Sequence, residues 1–301
     1  MVNFIKLNSL EDITDLLWSD GPESLLIAGG TDILVREQPF KEKRILVDIS
    51  QVKELKKVTE GEGGVLSVGS GLTHQEIVDH PVIRRRARLL QLACGCIGSV
   101  QIRNRGTLGG NLGNASPAGD SIPALVCLDA RVVVVARSRR KDYDALSFFT
   151  GPGQTARQID ELIESVEIPR RKGRSVAFFK KAGQRRGMCC SKASVALLAR
   201  RHTPGHLSGV RVALGAVAPT VIRAAEAEQV LEGRGLTPAV IRQAAEACSQ
   251  AVRPIDDIRS TADYRRQVVG ALLTEGLFEI YDHMRKLKKR RRRKTKPRRR
   301  R

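Results

Sequence analysis

Aromatic residues are scarce in this chain: they make up 4% of its 301 positions, with a single Trp and three Tyr. Any core must therefore be aliphatic. At 41% hydrophobic residues the chain has enough apolar material to fold over most of its length. No run of about 18 consecutive apolar residues occurs, which excludes a membrane-spanning helix by sequence. The opening stretch MVNFIKLNSLEDITDLL carries acids and has no apolar core of the signal-peptide kind, so no cleavable leader is expected and a cytoplasmic location follows. Cysteine is sparse and badly spaced for chemistry. Cys94, Cys96, Cys127, Cys189, Cys190 and Cys248 form no C-x-x-C pair, and their spacings suit neither zinc nor an iron–sulfur cluster. No metal ligand and no disulfide is expected, and each cysteine reads as a small buried hydrophobe.

Acid is the last absence. Arg285 to Arg301 hold fourteen Lys or Arg and no carboxylate. Removing those charges from the net +21 leaves +7 for the rest, so the body is only mildly basic. A run of that kind reads as a solvated, disordered extension. It has no interleaved aromatics and no reader fold, which argues against nucleic acid as the main partner.

Short elements fill the body. Leu10, Ile13, Leu16 and Leu17 fall on one helical face, with Ser9 as N-cap. SLLIAGG and RILVDIS read as strands, as do GVLSVGS, RVVVVAR and LIESVEIP further on. Thr73 and Glu76 form a capping box. VIRRRARLLQLAC reads as one basic amphipathic helix stopped by Gly95, and SIPALVCLDA as a helix with Pro123 in its first turn. From Ser175 strands come first and helices after. Thr237 and Pro238 open one helix, and a long amphipathic one follows. No chemical cluster is apparent in this last region, which reads as a packing and interface module.

Two glycine-rich stretches stand apart. LLIAGGTDILV spans Leu25 to Val35, and RNRGTLGGNLGNASPAGD spans Arg103 to Asp120. Glycine reaches backbone angles closed to other residues and lets a ligand approach the main chain. Successive N–H groups in such turns converge on an anion. Thr31, Thr107, Asn111 and Asn114 add side-chain donors, and Asp120 can accept from ribose or ribityl hydroxyls. Neither stretch is a Walker loop or a G-x-G-x-x-G fingerprint. Two such loops suit a diphosphate held between two subdomains. Asp120 can equally be an acid placed at a helix N-terminus by the macrodipole.

AGGTDILV, QIRNRGTLGGNLGNASPAGDSIPAL, FFTGPGQT, VRVALGAVAPT and IDDIRSTADYRRQVV occur in this order. Together they resemble the FAD-binding medium subunit of molybdenum hydroxylases, the xanthine dehydrogenase and carbon monoxide dehydrogenase flavoprotein family, from the N-terminus to about His283. The resemblance implies an α+β fold: a two-subdomain FAD-binding domain of the PCMH (vanillyl-alcohol-oxidase-like) type, then a C-terminal α+β domain with a small antiparallel sheet and helices. The expected divisions are 1–57, 58–174, 175–284 and a disordered basic tail, 285–301.

The resemblance carries FAD-binding roles to Ile27, Ala28, Gly29, Gly30, Thr31, Asp32, Ile33 and Leu34 in the first loop. In the second it carries them to Thr107, Leu108, Gly109, Gly110 and Asn111. Asp120 matches the family's carboxylate that contacts FAD. Ile97, Ile163 and Lys180 fall where flavin neighbours are found, Lys180 to within a residue. No catalytic side chain is implied. The implied function is electron transfer in a multi-subunit enzyme. A large molybdenum-cofactor chain hydroxylates substrate, a small chain carries [2Fe–2S] clusters, and electrons leave through FAD to NAD⁺ or another acceptor, in a dimer of heterotrimers. The cysteine-bearing insertion by which some relatives hold a four-iron cluster is not seen, and Cys127 stands alone in its helix. A free-standing flavin oxidoreductase with its own substrate pocket is the competing reading.

Neither loop contains His or Cys, the usual residues for covalent flavin attachment. The flavin should therefore be one FAD per chain, released when the protein is denatured and precipitated. FMN in the supernatant, or flavin left in the pellet, contradicts this.

Overall fold

The computed structural model describes residues 3–35, 42–185, 190–202 and 205–295, with side chains to Lys286. The first unit is a three-stranded parallel sheet. Strand β1 (Asn3–Lys6) leads into helix α1 (Leu10–Asp20), then β2 (Ser24–Ile27) and β3 (Ile45–Asp48), in the order β1-β3-β2. Ser9 caps α1 as its sequence indicates: its hydroxyl accepts from the Asp12 amide at 3.1 Å. Ile13 and Leu17 of α1 pack with Val52, Leu55 and Leu162 in a small core that joins this unit to the next.

The second unit is a five-stranded antiparallel sheet with helices on one side. Its members are β4 (Val58–Glu60), β5 (Leu66–Gly69), β6 (Arg131–Ala136), β7 (Arg139–Asp144), a short hairpin β8 (Phe149–Gly151) and β9 (Gln154–Thr155), and β10 (Leu162–Ile168). The sheet order is β4-β5-β10-β6-β7, the hairpin forming a separate pair. Between β5 and β6 run α2 (His74–Asp79), α3 (Pro81–Arg86), α4 (Arg88–Gly95), α5 (Val100–Arg103), α6 (Leu108–Asn114) and α7 (Ser121–Cys127). The capping box opens α2 with both hydrogen bonds formed, Thr73 N to Glu76 Oε2 at 2.7 Å and Glu76 N to Thr73 Oγ1 at 3.1 Å.

The basic amphipathic helix expected over 82–94 is two helices. Ala87 leaves helical geometry at φ −132°, ψ 47° and is fully buried. The break lets Ile83 and the Leu89, Leu90, Ala93 and Cys94 face reach one core together. Tertiary burial overrides the local helical signal here.

The third unit carries β11 (Ser175–Ala182), β12 (Ala193–Arg201), β13 (Leu207–Gly215) and β14 (Ile222–Arg223) in that sheet order, followed by α8 (Ala225–Leu231), α9 (Pro238–Gln250) and α10 (Ala262–Thr295). Both faces of this sheet are covered. Along β12, Ala196 and Leu198 face the second unit's core, while Val195, Leu197 and Ala199 face α9 and α10. Strand alternation thus buries β12 on both faces from Ala193 to Ala199, which welds the third unit to the second.

Two expectations are corrected. Helix α10 runs on to Thr295, into the stretch expected to be disordered; residues 296–301 lie outside the described residues. Lys and Arg are good helix formers, and extending a helix already anchored by packing needs no new nucleus. The cysteines also divide. Cys94, Cys127 and Cys248 are buried, but Cys96 and Cys190 are exposed, and Cys189 lies outside the described residues. Among the described residues no helix is long and apolar enough to cross a membrane.

Gly276 shows how closely α10 lies on the sheet: a β-carbon there would fall 2.4 Å from the Phe178 ring. Gly276→Ala should therefore destabilise the protein by about 1–3 kcal/mol. Chemical denaturation of the flavin-loaded chain checks this, and an unchanged midpoint would contradict the packing.

Candidate functional site

The two glycine stretches meet backbone to backbone. The first leaves β2 and turns at Gly30, whose φ is +71°. A β-carbon on Gly29 would lie 1.9 Å from the Arg105 carbonyl oxygen and 2.9 Å from Gly106 Cα. No side chain can be accommodated there, because the obstacle is main chain. Gly106 in turn receives a hydrogen bond from the His74 amide at 2.9 Å, and Thr107 pairs with Thr73 across an isolated bridge. The loops therefore link the first unit to the α2 end of the second.

A cleft of about 1460 Å³ opens between them. This exceeds the usual range of about 300–1,000 Å³ for small-molecule sites and suits a dinucleotide. Of the sequence-derived residues, Ile27 to Ile33, Ile97, Thr107, Gly109, Gly110, Asn111, Asp120 and Ile163 line it. Leu34, Leu108 and Lys180 do not. Leu108 is fully buried in the core, and Leu34 is 62% exposed beside Gly30.

The two stretches differ in what their backbones offer. Among the described residues, the N–H groups of Gly29, Gly30, Thr31 and Ile33 have no acceptor within the chain. They are donors available to an anion, and this fits the cleft to a pyrophosphate. The second stretch, expected as a phosphate loop, is the start of α6. Its Leu108 N–H donates to Leu72 O at 2.9 Å and Gly109 N–H to Ser70 O at 2.7 Å. The Gly110 N–H goes to Thr107 Oγ1 at 3.1 Å and Asn111 N–H to Thr107 O at 3.0 Å. With these amides satisfied, the glycines here serve as a close-packed wall: a β-carbon on Gly109 would sit 2.7 Å from Ser70 Cβ.

Lys180 is placed away from the cleft. Its ammonium bonds Glu275 at 2.7 Å and Glu279 at 2.8 Å on α10. The neighbouring Lys181 points the other way, because strand side chains alternate. Its Nζ lies 2.6 Å from Asp120 Oδ2, and Ser191 Oγ donates to Asp120 Oδ1 at 2.5 Å. Burial raises the Asp120 pKa above the usual carboxylate range, while Lys181 and the Ser191 hydroxyl oppose that rise. Sequence reasoning missed Lys181 and Ser191; the one signal available was a buried acid in need of a cation.

His74 was missed as well. It is 3% exposed, lines the cleft, and has no partner for Nδ1 among the described residues. Burial first, and Arg103 second, push its pKa down to about 4, so it is a neutral imidazole at pH 7. Arg157 and Glu161 line the cleft too, with Arg157 Nη1 donating to the Glu161 carbonyl at 2.5 Å. Among the described residues no group of three or more His, Cys, Asp or Glu could hold a metal ion.

Comparison with known proteins agrees with this geometry. Residues 1–171 match the family described as FAD binding domain in molybdopterin dehydrogenase, and 177–280 the CO dehydrogenase flavoprotein C-terminal domain. The nicotine 6-hydroxylase medium subunit of Paenarthrobacter nicotinovorans is 32% identical, over 90% of this chain and 94% of that one. A putative xanthine dehydrogenase FAD-binding subunit of Escherichia coli (strain K12) is 30% identical, over 90% and 93%. Among solved structures, carbon monoxide dehydrogenase from Hydrogenophaga pseudoflava superposes with a TM-score of 0.87 at 26% identity, covering 93% of this chain and 97% of that one. Quinoline 2-oxidoreductase from Pseudomonas putida 86 gives 0.87 at 25% identity, covering 94% and 98%.

Gly29→Ala should prevent the two stretches from meeting. Strain of about 1–3 kcal/mol should lower FAD retention by about tenfold or more. Flavin absorbance per protein measures this, with Gly61→Ala as control, since a β-carbon there meets nothing nearer than 3.9 Å. Full flavin in a folded Gly29→Ala protein would remove the loop contact from the binding account.

Proposed function

The chain belongs to the family of FAD-binding subunits of molybdopterin dehydrogenases, and from that premise we propose that it is the electron-transfer subunit between [2Fe–2S] clusters on a small partner chain and an acceptor such as NAD⁺. It is an oxidoreductase subunit, and its cofactor is FAD. The observation that carries the proposal is the order of its parts. Both family segments occur in one chain, in sequence, and relatives that are medium subunits cover nearly all of it. This disfavours a free-standing oxidoreductase. The large partner would hold the molybdenum cofactor and choose the substrate.

Bound FAD supplies the ability to take up electrons singly and give them up as a pair. The chain's own residues bind and orient it. The free amides of Gly29, Gly30, Thr31 and Ile33 would hold the pyrophosphate. The tight wall of Gly109 and Gly110 would let the cofactor lie against the backbone of α6. Ile97 and Ile163 would give apolar contacts, and Asp120 would accept from a hydroxyl of the cofactor. His74, neutral and buried, adds no charge to the wall. No residue of the cleft is assigned acid–base or nucleophilic work on a substrate.

The isolated FAD-loaded chain should be bleached by dithionite yet oxidise no purine, aldehyde or N-heterocycle. Adding the small cluster chain and the large molybdenum chain should restore substrate-driven bleaching, and NAD⁺ should then return the yellow colour. Turnover of such a substrate by the chain alone, free of molybdenum and iron, would refute the subunit reading. Recovery of colour with oxygen or a quinone but not NAD⁺ would reassign the acceptor.

A further inference from the structure

The end of β11 and the approach to β12 both reach one carboxylate. Lys181, in the last residues of β11, and Ser191, just before β12, each reach an oxygen of Asp120, at 2.6 Å and 2.5 Å. The pair is nearly dry: the side chains of Lys181 and Asp120 are 11% and 6% exposed. Asp120 stands at the head of α7 and lines the cleft. The carboxylate belongs to the FAD-binding segment, whereas its cation and its hydroxyl donor come from the C-terminal one.

We propose that Lys181 is a positioning residue for the flavin: from the C-terminal segment it keeps the Asp120 carboxylate charged and fixed at the cleft, and so sets the pH range over which FAD is held. This rests on the reading of Asp120 as a cofactor contact.

Burying a charge is costly. A carboxylate taken out of water favours its neutral form unless a cation and hydrogen-bond donors compensate. Here burial raises the Asp120 pKa, and Lys181 and Ser191 oppose the rise. Among the described residues, the thiols of Cys94 on α4 and Cys96 just beyond it also interact electrostatically with it. Both are pushed above their ordinary range, first by burial and then by the Asp120 charge. They supply no positive charge. A buried ion pair is a poor source of net stability, since desolvation offsets the attraction. Its worth here is in holding an acceptor charged where a cofactor hydroxyl must donate. Once protonated, that oxygen presents a proton instead of a lone pair. Affinity that needs the charged form is complete above the Asp120 pKa and is lost as the pH falls through it. Removing Lys181 raises that pKa further, so FAD should be lost at a higher pH.

The test is FAD release from the full-length chain, followed by fluorescence of free flavin from about pH 5 to about pH 8.5. Wild type, Lys181→Met, Lys181→Arg, Ser191→Ala and Asp120→Asn are compared. Lys181→Met should move the midpoint of release up by a unit or more, an affinity loss of about tenfold at the wild-type midpoint. Lys181→Arg should return it towards wild type, and Ser191→Ala should shift it less in the same direction. Asp120→Asn should bind weakly with no midpoint in this range. A purely structural ion pair would instead lower the melting temperature of Lys181→Met and leave the midpoint in place. A Lys181→Met profile that superposes on wild type, while Asp120→Asn weakens binding, overturns the inference. Should Lys181→Met fail to fold, an unshifted Ser191→Ala profile overturns it. If Asp120→Asn keeps FAD as well as wild type throughout, the cofactor contact itself is refuted, and the inference falls with it.

Discussion

The site depends on one steric fact: the main chain at Gly29 lies directly against the Arg105 carbonyl and Gly106. The two stretches come from different sheets, and nothing but glycine permits the approach. Because Gly29 has no β-carbon, the β2 turn can lie flat on the segment before α6, with Thr31 beside Gly106. Gly106 is held on its other side by His74. This chain of close contacts fixes the mouth of the cleft. Among the described residues, the amides of Gly29, Gly30, Thr31 and Ile33 are left without an acceptor, because the contact is van der Waals packing and consumes no donors.

The electrostatics of the cleft follow from burial. His74 is pushed neutral, and burial raises the Asp120 pKa while a cation brought across from another sheet opposes the rise. The same wall thus holds one ionisable group stripped of charge and another whose loss of charge on burial is opposed by partners. A pyrophosphate at the mouth would meet the backbone dipoles of the β2 turn, in a cleft that Lys43, Lys56 and Arg105 also line.

Local chemistry was legible in the sequence. The Ser9 cap, the Thr73–Glu76 box and the Thr237–Pro238 start appear where three or four consecutive residues indicate them, because each bond spans three residues. The cleft-lining loops were legible through their motif. The break at Ala87 was not, since it answers to a core assembled from several elements and not to the helical signal of 82–94. The helical start at Leu108 was also hidden, because two adjacent glycines argue against helix, and only the acceptors on Ser70 and Leu72 show where those amides go. The partners of Asp120 lie 61 and 71 residues away, beyond any pattern that spacing can reveal.

The same limit explains why the neighbouring lysines part company. Motif resemblance locates a lysine near the flavin to within one residue, but in a strand one residue is a change of face. Phe178 and Lys180 lie on the side of α10, and Phe179 and Lys181 on the side of the cleft. The face is decided by burial: Phe179 joins the second unit's core and Phe178 packs under Gly276. Once those two rings are assigned, each lysine has one direction left. The C-terminal sheet, which the sequence presents as packing alone, therefore delivers a lysine to Asp120 at the cleft, because its two faces are committed to two different cores.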